Sequence, residues 1–188
     1  SGGSLNTGYG VVNVFSGNTM GFSGKFSGIT VTNNQLSNSS MGVYLYGQNS
    51  GTNNVISNNF IDTAGAGTIR DAGVYAEGSG GTIISGNSIL ELEPTEGTDY
   101  GVYVTGCDSA VTVERNRIGN IGYTGTFGYG GNGISADMNN GELLINNNEI
   151  FNMYGDGWDY TSFDSYDNPI GIYSNNSDGK VRILNNSV

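Results

Sequence analysis

Residues 101–118, GVYVTGCDSAVTVERNRI, hold the two patterns that decide the fold. The second pattern is the plainer: apolar, any, any, Asn, any, apolar, running here from Val113 through Asn116 to Ile118. Outward from this stretch it recurs from Val31 to Leu36 around Asn34, from Ile56 to Ile61 around Asn59, and from Ile84 to Ile89 around Asn87. Two further copies surround Asn148, from Ile145 to Ile150, and Asn186, from Ile183 to Val188. A seventh stretch, Phe15 to Met20 around Asn18, lies only 16 residues before Asn34, too close for a full repeat, and is expected to be a lead-in turn. The first pattern, Gly then an aliphatic then usually Tyr, precedes each Asn by 14 to 17 residues. Its members begin at Gly42, Gly73, Gly101, Gly133 and Gly171, with a weaker one at Gly21, 13 residues before Asn34.

Successive motif asparagines are 25, 28, 29, 32 and 38 residues apart. Between them the segments are short, β-branched and alternating, which argues strands, and no window of a dozen residues carries helical periodicity with plausible caps. Strands on a coil-length period with variable insertions describe a β-solenoid; the leucine-rich and propeller repeats have other consensus patterns. Composition agrees. The chain has 33 Gly, 26 Asn and only 2 Pro in 188 residues, and both Gly and Asn tolerate the positive φ of frequent turns.

Charge and composition exclude several classes of function. The net charge of −11, from 17 acids and 6 bases, argues against nucleic acid or an anionic membrane as partner. No stretch approaches the roughly 20 apolar residues of a membrane span, so no membrane insertion is expected. With no His, there is neither a His-based triad nor a His metal site. Cys107 stands alone and is expected to be a small packed residue rather than half of a disulfide. The opening Ser1-Gly2-Gly3-Ser4 reads as an added or excised start, and the stop at Val188, as a repeat completes, implies that further coils follow in a parent protein. Residues 1–20 are therefore assigned to a lead-in segment with a partial coil, and 21–188 to the repeats.

Over roughly residues 21–188 the two registered motifs resemble the right-handed parallel β-helix repeat family, the architecture of pectate-lyase-like proteins. The resemblance implies an all-β, right-handed, single-stranded parallel β-helix of about six coils. In it Asn34, Asn59, Asn87, Asn116, Asn148 and Asn186 would form an inward asparagine ladder, each occupying the left-handed region at a bend and passing hydrogen bonds to the next coil. The aliphatics after the motif glycines, and those on both sides of each motif Asn, would stack inside along the axis. The fold hosts lyases, hydrolases, epimerases, phage tailspikes and inert adhesin stalks, so the resemblance says little about activity. The motif of alginate epimerases and the paired-Asp signature of polygalacturonases are missing.

Chemistry is expected on one side. Insertions fall between each Asn motif and the next Gly motif, with long loops at 62–72, 90–100, 119–132 and 151–170, where binding residues usually lie. Aromatics mixed with carboxylates there suit a polysaccharide or cell-surface glycan, with ring faces on sugar C–H patches and carboxylates accepting from hydroxyls; the same side chains could instead anchor the loops. Candidate ligand contacts are Tyr75, Tyr103, Tyr129, Trp158, Asp159 and Tyr160. The outward positions of the Gly-motif strands form one row of Tyr44, Tyr75, Tyr103, Ser135 and Tyr173, and a second of Tyr46, Glu77, Thr105, Asp137 and Asn175. Glu77 and Asp137, two coils apart at about 10 Å, are weak catalytic candidates, just past the roughly 6.5–9.5 Å of inverting glycosidases. Arg115 and Arg117, beside a motif Asn, are expected to be solvated turn residues. Acids cluster in two loops, which admits calcium, but neither the EF-hand spacing nor the glycine-rich calcium repeat occurs, so no cofactor or metal is assigned. Together these observations favour a non-catalytic segment of a large extracellular or cell-surface protein, with an adhesin-like or cell-contact role against a glycan or partner cell surface. The alternatives are a polysaccharide hydrolase or lyase and a tailspike-like trimeric fragment.

Overall fold

The inward aliphatics stack in register in the computed structural model, which describes residues 10–15, 26–47, 52–62, 69, 71–92, 97–126, 128–137, 139–156 and 168–188. The chain passes through three parallel sheets in rotation, and no helix occurs among the described residues. The first sheet joins β1 (Gly10–Phe15), β4 (Met41–Tyr46), β7 (Ala72–Glu77), β10 (Asp99–Thr105), β13 (Gly131–Asp137) and β16 (Ile170–Asn175) in that order. A second joins β2 (Thr30–Thr32), β5 (Asn54–Ser57), β8 (Thr82–Ser85), β11 (Val111–Glu114), β14 (Leu143–Asn146) and β17 (Val181–Leu184). The third holds β3 (Gln35–Leu36), β6 (Phe60–Asp62), β9 (Ser88–Leu92), β12 (Arg117–Gly122) and β15 (Glu149–Tyr154). Each strand pairs with its counterpart one coil away, so the fold is an all-β parallel solenoid.

Alternation at period two aims one aliphatic set at the axis. In the first sheet Val43, Val74, Val102 and Ile134 lie in register and are fully buried, as are Leu45, Ala76, Val104 and Ala136. In the second, Val31, Ile56, Ile84, Val113 and Ile145 form a continuous buried file. Leu36, Ile61, Ile89, Ile118 and Ile150 do the same in the third. The last members, Ile183 and Val188, are 48% and 76% exposed, since no strand lies beyond β17 among the described residues.

The glycine motif and the aliphatic after the asparagine are one device. A Cβ on Gly101 would stand 2.4 Å from Ile118 Cγ2 and 2.5 Å from the Gly133 carbonyl oxygen. Gly73 meets Ile89, and Gly133 meets Ile150, in the same way. The third-sheet isoleucine thus packs across the tube against the first-sheet backbone, and only a residue without Cβ leaves it room. This contact couples the two sequence patterns.

The ladder forms as expected, with one correction. Asn116 Nδ2 donates to Asn148 Oδ1 (3.0 Å) and to the Ile84 carbonyl (2.9 Å), while Asn116 Oδ1 accepts from the backbone N–H (3.0 Å) and Nδ2 (2.9 Å) of Asn87. The side-chain file runs from Asn34 through Asn59, Asn87, Asn116 and Asn148 to Asn186. The residue in the left-handed region, however, is the one before each ladder Asn: Asn33, Asn58, Gly86, Arg115, Asn147 and Asn185. The ladder Asn keeps negative φ, because its own N–H and its side chain must both reach the next coil. The left-handed residue makes the bend and leaves its side chain outside.

A second bend follows four residues after the ladder position. Asn38, Glu91, Asn120 and Asn152 all have φ between 53° and 64°. Asn152 donates to Asn120 (2.7 Å) and Asn120 to Glu91, an outer ladder along the third sheet. Beyond this bend the strand resumes and turns Leu92 and Ile121 into the core, both fully buried. The segments 90–100, 119–132 and 151–170, expected to be loops, therefore begin as strand at 90–92, 119–122 and 151–154 and, in each case, re-enter strand before or at the next glycine motif.

Candidate functional site

The outer face of the first sheet carries both rows of side chains in register. Tyr44 pairs with Tyr75, Tyr75 with Tyr103, Tyr103 with Ser135 and Ser135 with Tyr173. Alongside, Tyr46 and Thr105 both align with Glu77, and Thr105 and Asn175 both align with Asp137. The rings of Tyr44, Tyr75 and Tyr103 meet edge to face at centroid distances of 5.2 and 4.9 Å, and Tyr100 stacks on Tyr103 at 4.6 Å. Such contacts hold the rings in fixed orientations.

The aromatic row is broken once, at Ser135. The missing ring leaves a cleft of about 180 Å³ lined by Tyr100, Tyr103, Asn132, Ser135, Asp137, Tyr173 and Asn175. Asn132 and Ser135 are buried in its floor, at 1% and 3% exposure. Tyr103 and Tyr173, on the strands either side of β13, form its walls about 10 Å apart at the backbone. Asp137 sits half-exposed at its edge and accepts from Asn176 Nδ2 (3.4 Å). Tyrosine rings, a carboxylate and small amides and hydroxyls at one opening suit a ligand with apolar patches and polar groups.

Next to the cleft, Glu77 is packed among tyrosines. Burial holds its carboxyl above the usual carboxylate range, opposed by hydrogen bonds from the Tyr75 and Tyr44 hydroxyls. The Tyr75 hydroxyl is pushed well above the usual phenol range, first by burial and then by the neighbouring Glu77 charge, so it remains a donor. Glu77 and Asp137 flank Thr105, which places them two strand spacings apart, about 10 Å. Burial also pushes the Cys107 thiol up to about 11 and keeps it an inert, protonated core group.

The remaining candidates fall elsewhere. Tyr129 meets Tyr123 edge-on at 5.2 Å, and its carbonyl accepts from the Asp156 N–H (3.3 Å). Tyr123 is 6% exposed, and Gly130 bridges Gly155 in the antiparallel sense. Trp158, Asp159 and Tyr160 lie outside the described residues. The structure thus brings Tyr103 and Asp137 together in the cleft, sets Tyr75 and Glu77 on the adjoining coil, and gives Tyr129 a packing contact. Asn132 was not marked by the sequence, and Tyr100 only as the aromatic of the 90–100 loop; each immediately precedes a motif glycine, and the two pair across β10 and β13.

The described bases lie off this face. Arg117 pairs with Glu149 (3.1 Å) and covers the Phe151 ring (4.6 Å), Arg115 pairs with Glu114, and Arg182 and Lys180 pair with Glu142 (2.7 and 3.9 Å). All belong to the second and third sheets or the corners beside them. Among the described residues no base stands on the outer face of the first sheet, and no group of three or more Cys, Asp or Glu residues is arranged to hold a metal ion. No helix among the described residues is long and apolar enough to cross a membrane.

A family model described as a right handed beta helix region matches residues 6–188. Neither a curated protein nor a solved structure matches the chain.

Proposed function

Since the chain belongs to the right-handed β-helix family, we propose that it serves as a non-catalytic β-helix segment of an extracellular or cell-surface protein, holding a glycan against the outer face of its first sheet. The observation that carries this reading is the cleft at Ser135, lined by Tyr103 and Tyr173 on the strands to either side with Asp137 at the edge. Tyrosines locked by edge contacts present sugar-sized apolar faces at little entropic cost, and the half-exposed carboxylate accepts from hydroxyls. The same features suit adhesion or cell contact, in which a rigid scaffold displays a weak, repeated binding surface. A polysaccharide or a surface glycan is the partner proposed. Ser135→Tyr completes the tyrosine row and fills the cleft while keeping a residue favoured in strands. On a glycan array the unaltered chain should bind at micromolar to millimolar concentration, and Ser135→Tyr should lose most of that signal with an unchanged melting temperature. Equal binding by both proteins would contradict the proposal.

One observation favours a second reading as a polysaccharide hydrolase. Glu77 has a raised pKa, as a general acid needs, and Asp137 lies two strands away, just past the inverting separation of roughly 6.5–9.5 Å. Release of reducing ends that disappears in Glu77→Gln would establish it; no release from any bound glycan would remove it.

A further inference from the structure

We infer that the glycan this face takes is an extended β-1,4-linked polymer carrying free amines, laid along the solenoid axis. The inference rests on the glycan-binding reading above and names the substrate class for the same face. Three features lead to it. First, the acids on the face are spaced by register: Glu77 on β7 and Asp137 on β13, with the neutral Thr105 between them. Successive strands are about 4.8 Å apart, close to the length of one pyranose unit along an extended chain. A β-1,4 chain turns each unit over relative to the last, so like substituents recur on one side at every second unit. Carboxylates on alternate strands match that repeat.

Second, among the described residues the charge on the face has one sign. Every described base is ion-paired on the second and third sheets or at the corners beside them. A polymer of uronic acids would set its carboxylates against Glu77 and Asp137 with no cation between them among the described residues, which like-charge repulsion penalises. Amines on the sugar would reverse that sign. Third, Tyr103 and Tyr173 line the cleft between these strands, and tyrosine rings attract a cationic group as well as sugar C–H patches.

The test uses calorimetric titration of the chain, in a slightly acidic buffer, with three oligomers of equal length: glucosamine, N-acetylglucosamine and galacturonate. The glucosamine oligomer should bind about tenfold more tightly than its acetylated counterpart, a difference of the size one partly buried ion pair gives. The galacturonate oligomer should not bind. Asp137→Asn and Glu77→Gln should each bring glucosamine binding down towards the acetylated level, while Glu149→Gln, on the third sheet, should leave it unchanged. Equal loss in Glu149→Gln would mean general attraction of a polycation to an acidic protein and would overturn the inference. Equal affinity for the two amino sugars, insensitive to Asp137→Asn but abolished by Ser135→Tyr, would also overturn it while leaving the glycan reading standing. Absence of binding by all three, together with a blank glycan array, would remove both.

Discussion

Arg115 occupies the position where four other coils place Asn and one places Gly. It sits at φ 54° immediately before a ladder asparagine. A left-handed backbone costs a non-Gly residue roughly 1–2 kcal/mol, less for Asn, whose short amide side chain bonds locally. The Arg115 ion pair with Glu114 is solvent-exposed on the Arg side and contributes little in return. Arg115→Asn should therefore stabilise the protein by about 0.5–1 kcal/mol, read as a higher denaturant midpoint with an unchanged slope. A lower midpoint would show that the arginine holds the bend by some other contact. The bend also marks what could be read from the sequence at this scale. The ladder residues were legible because a buried amide that must match its neighbours can only be Asn at that place. The left-handed residue was displaced by one, since the outward corner tolerates Asn, Gly or Arg and so leaves no fixed letter. The second bend had a signal, Asn four residues after the ladder in three coils, but Glu91 stands in that place in a fourth and hides it.

Between elements, the contact of the glycine with the third-sheet isoleucine fixes the cross-section of the tube. Gly101→Ala puts a methyl group 2.4 Å from Ile118 Cγ2 and 2.5 Å from a backbone oxygen that cannot turn aside. Overpacking of this kind costs about 1–3 kcal/mol, and the thermal midpoint should fall accordingly. An alanine tolerated there without change would mean that the first and third sheets are not packed against each other as described. Strand identity and register were legible because both motifs recur together, and alternation then decides which side chains face inward. The loop boundaries were not, because Leu92 and Ile121 rejoin the core only after a bend that interrupts the alternation. The cleft was hidden for a related reason. Ser135 is an ordinary residue in the sequence, and it becomes an opening only once tyrosines stand on the strands to either side.

Across the whole molecule, charge among the described residues is divided by sheet. The second and third sheets and the corners beside them hold the described bases, in pairs with Glu114, Glu142 and Glu149, while the first sheet turns tyrosines and two carboxylates outward. The net charge of −11 is legible in the sequence, but the sequence could not say which face bears the excess. That depends on the three-sheet winding, which converts a linear order of residues into three separate surfaces. The account stands on the first of these surfaces being the one that meets a ligand. Backbone amide shifts followed by NMR, during titration with the oligosaccharide that binds best, test this most directly. Perturbations should centre on Tyr100, Tyr103, Ser135, Asp137 and Tyr173 and fade towards the second sheet. Shifts confined to the second or third sheet, with those five residues unmoved at saturation, would contradict it.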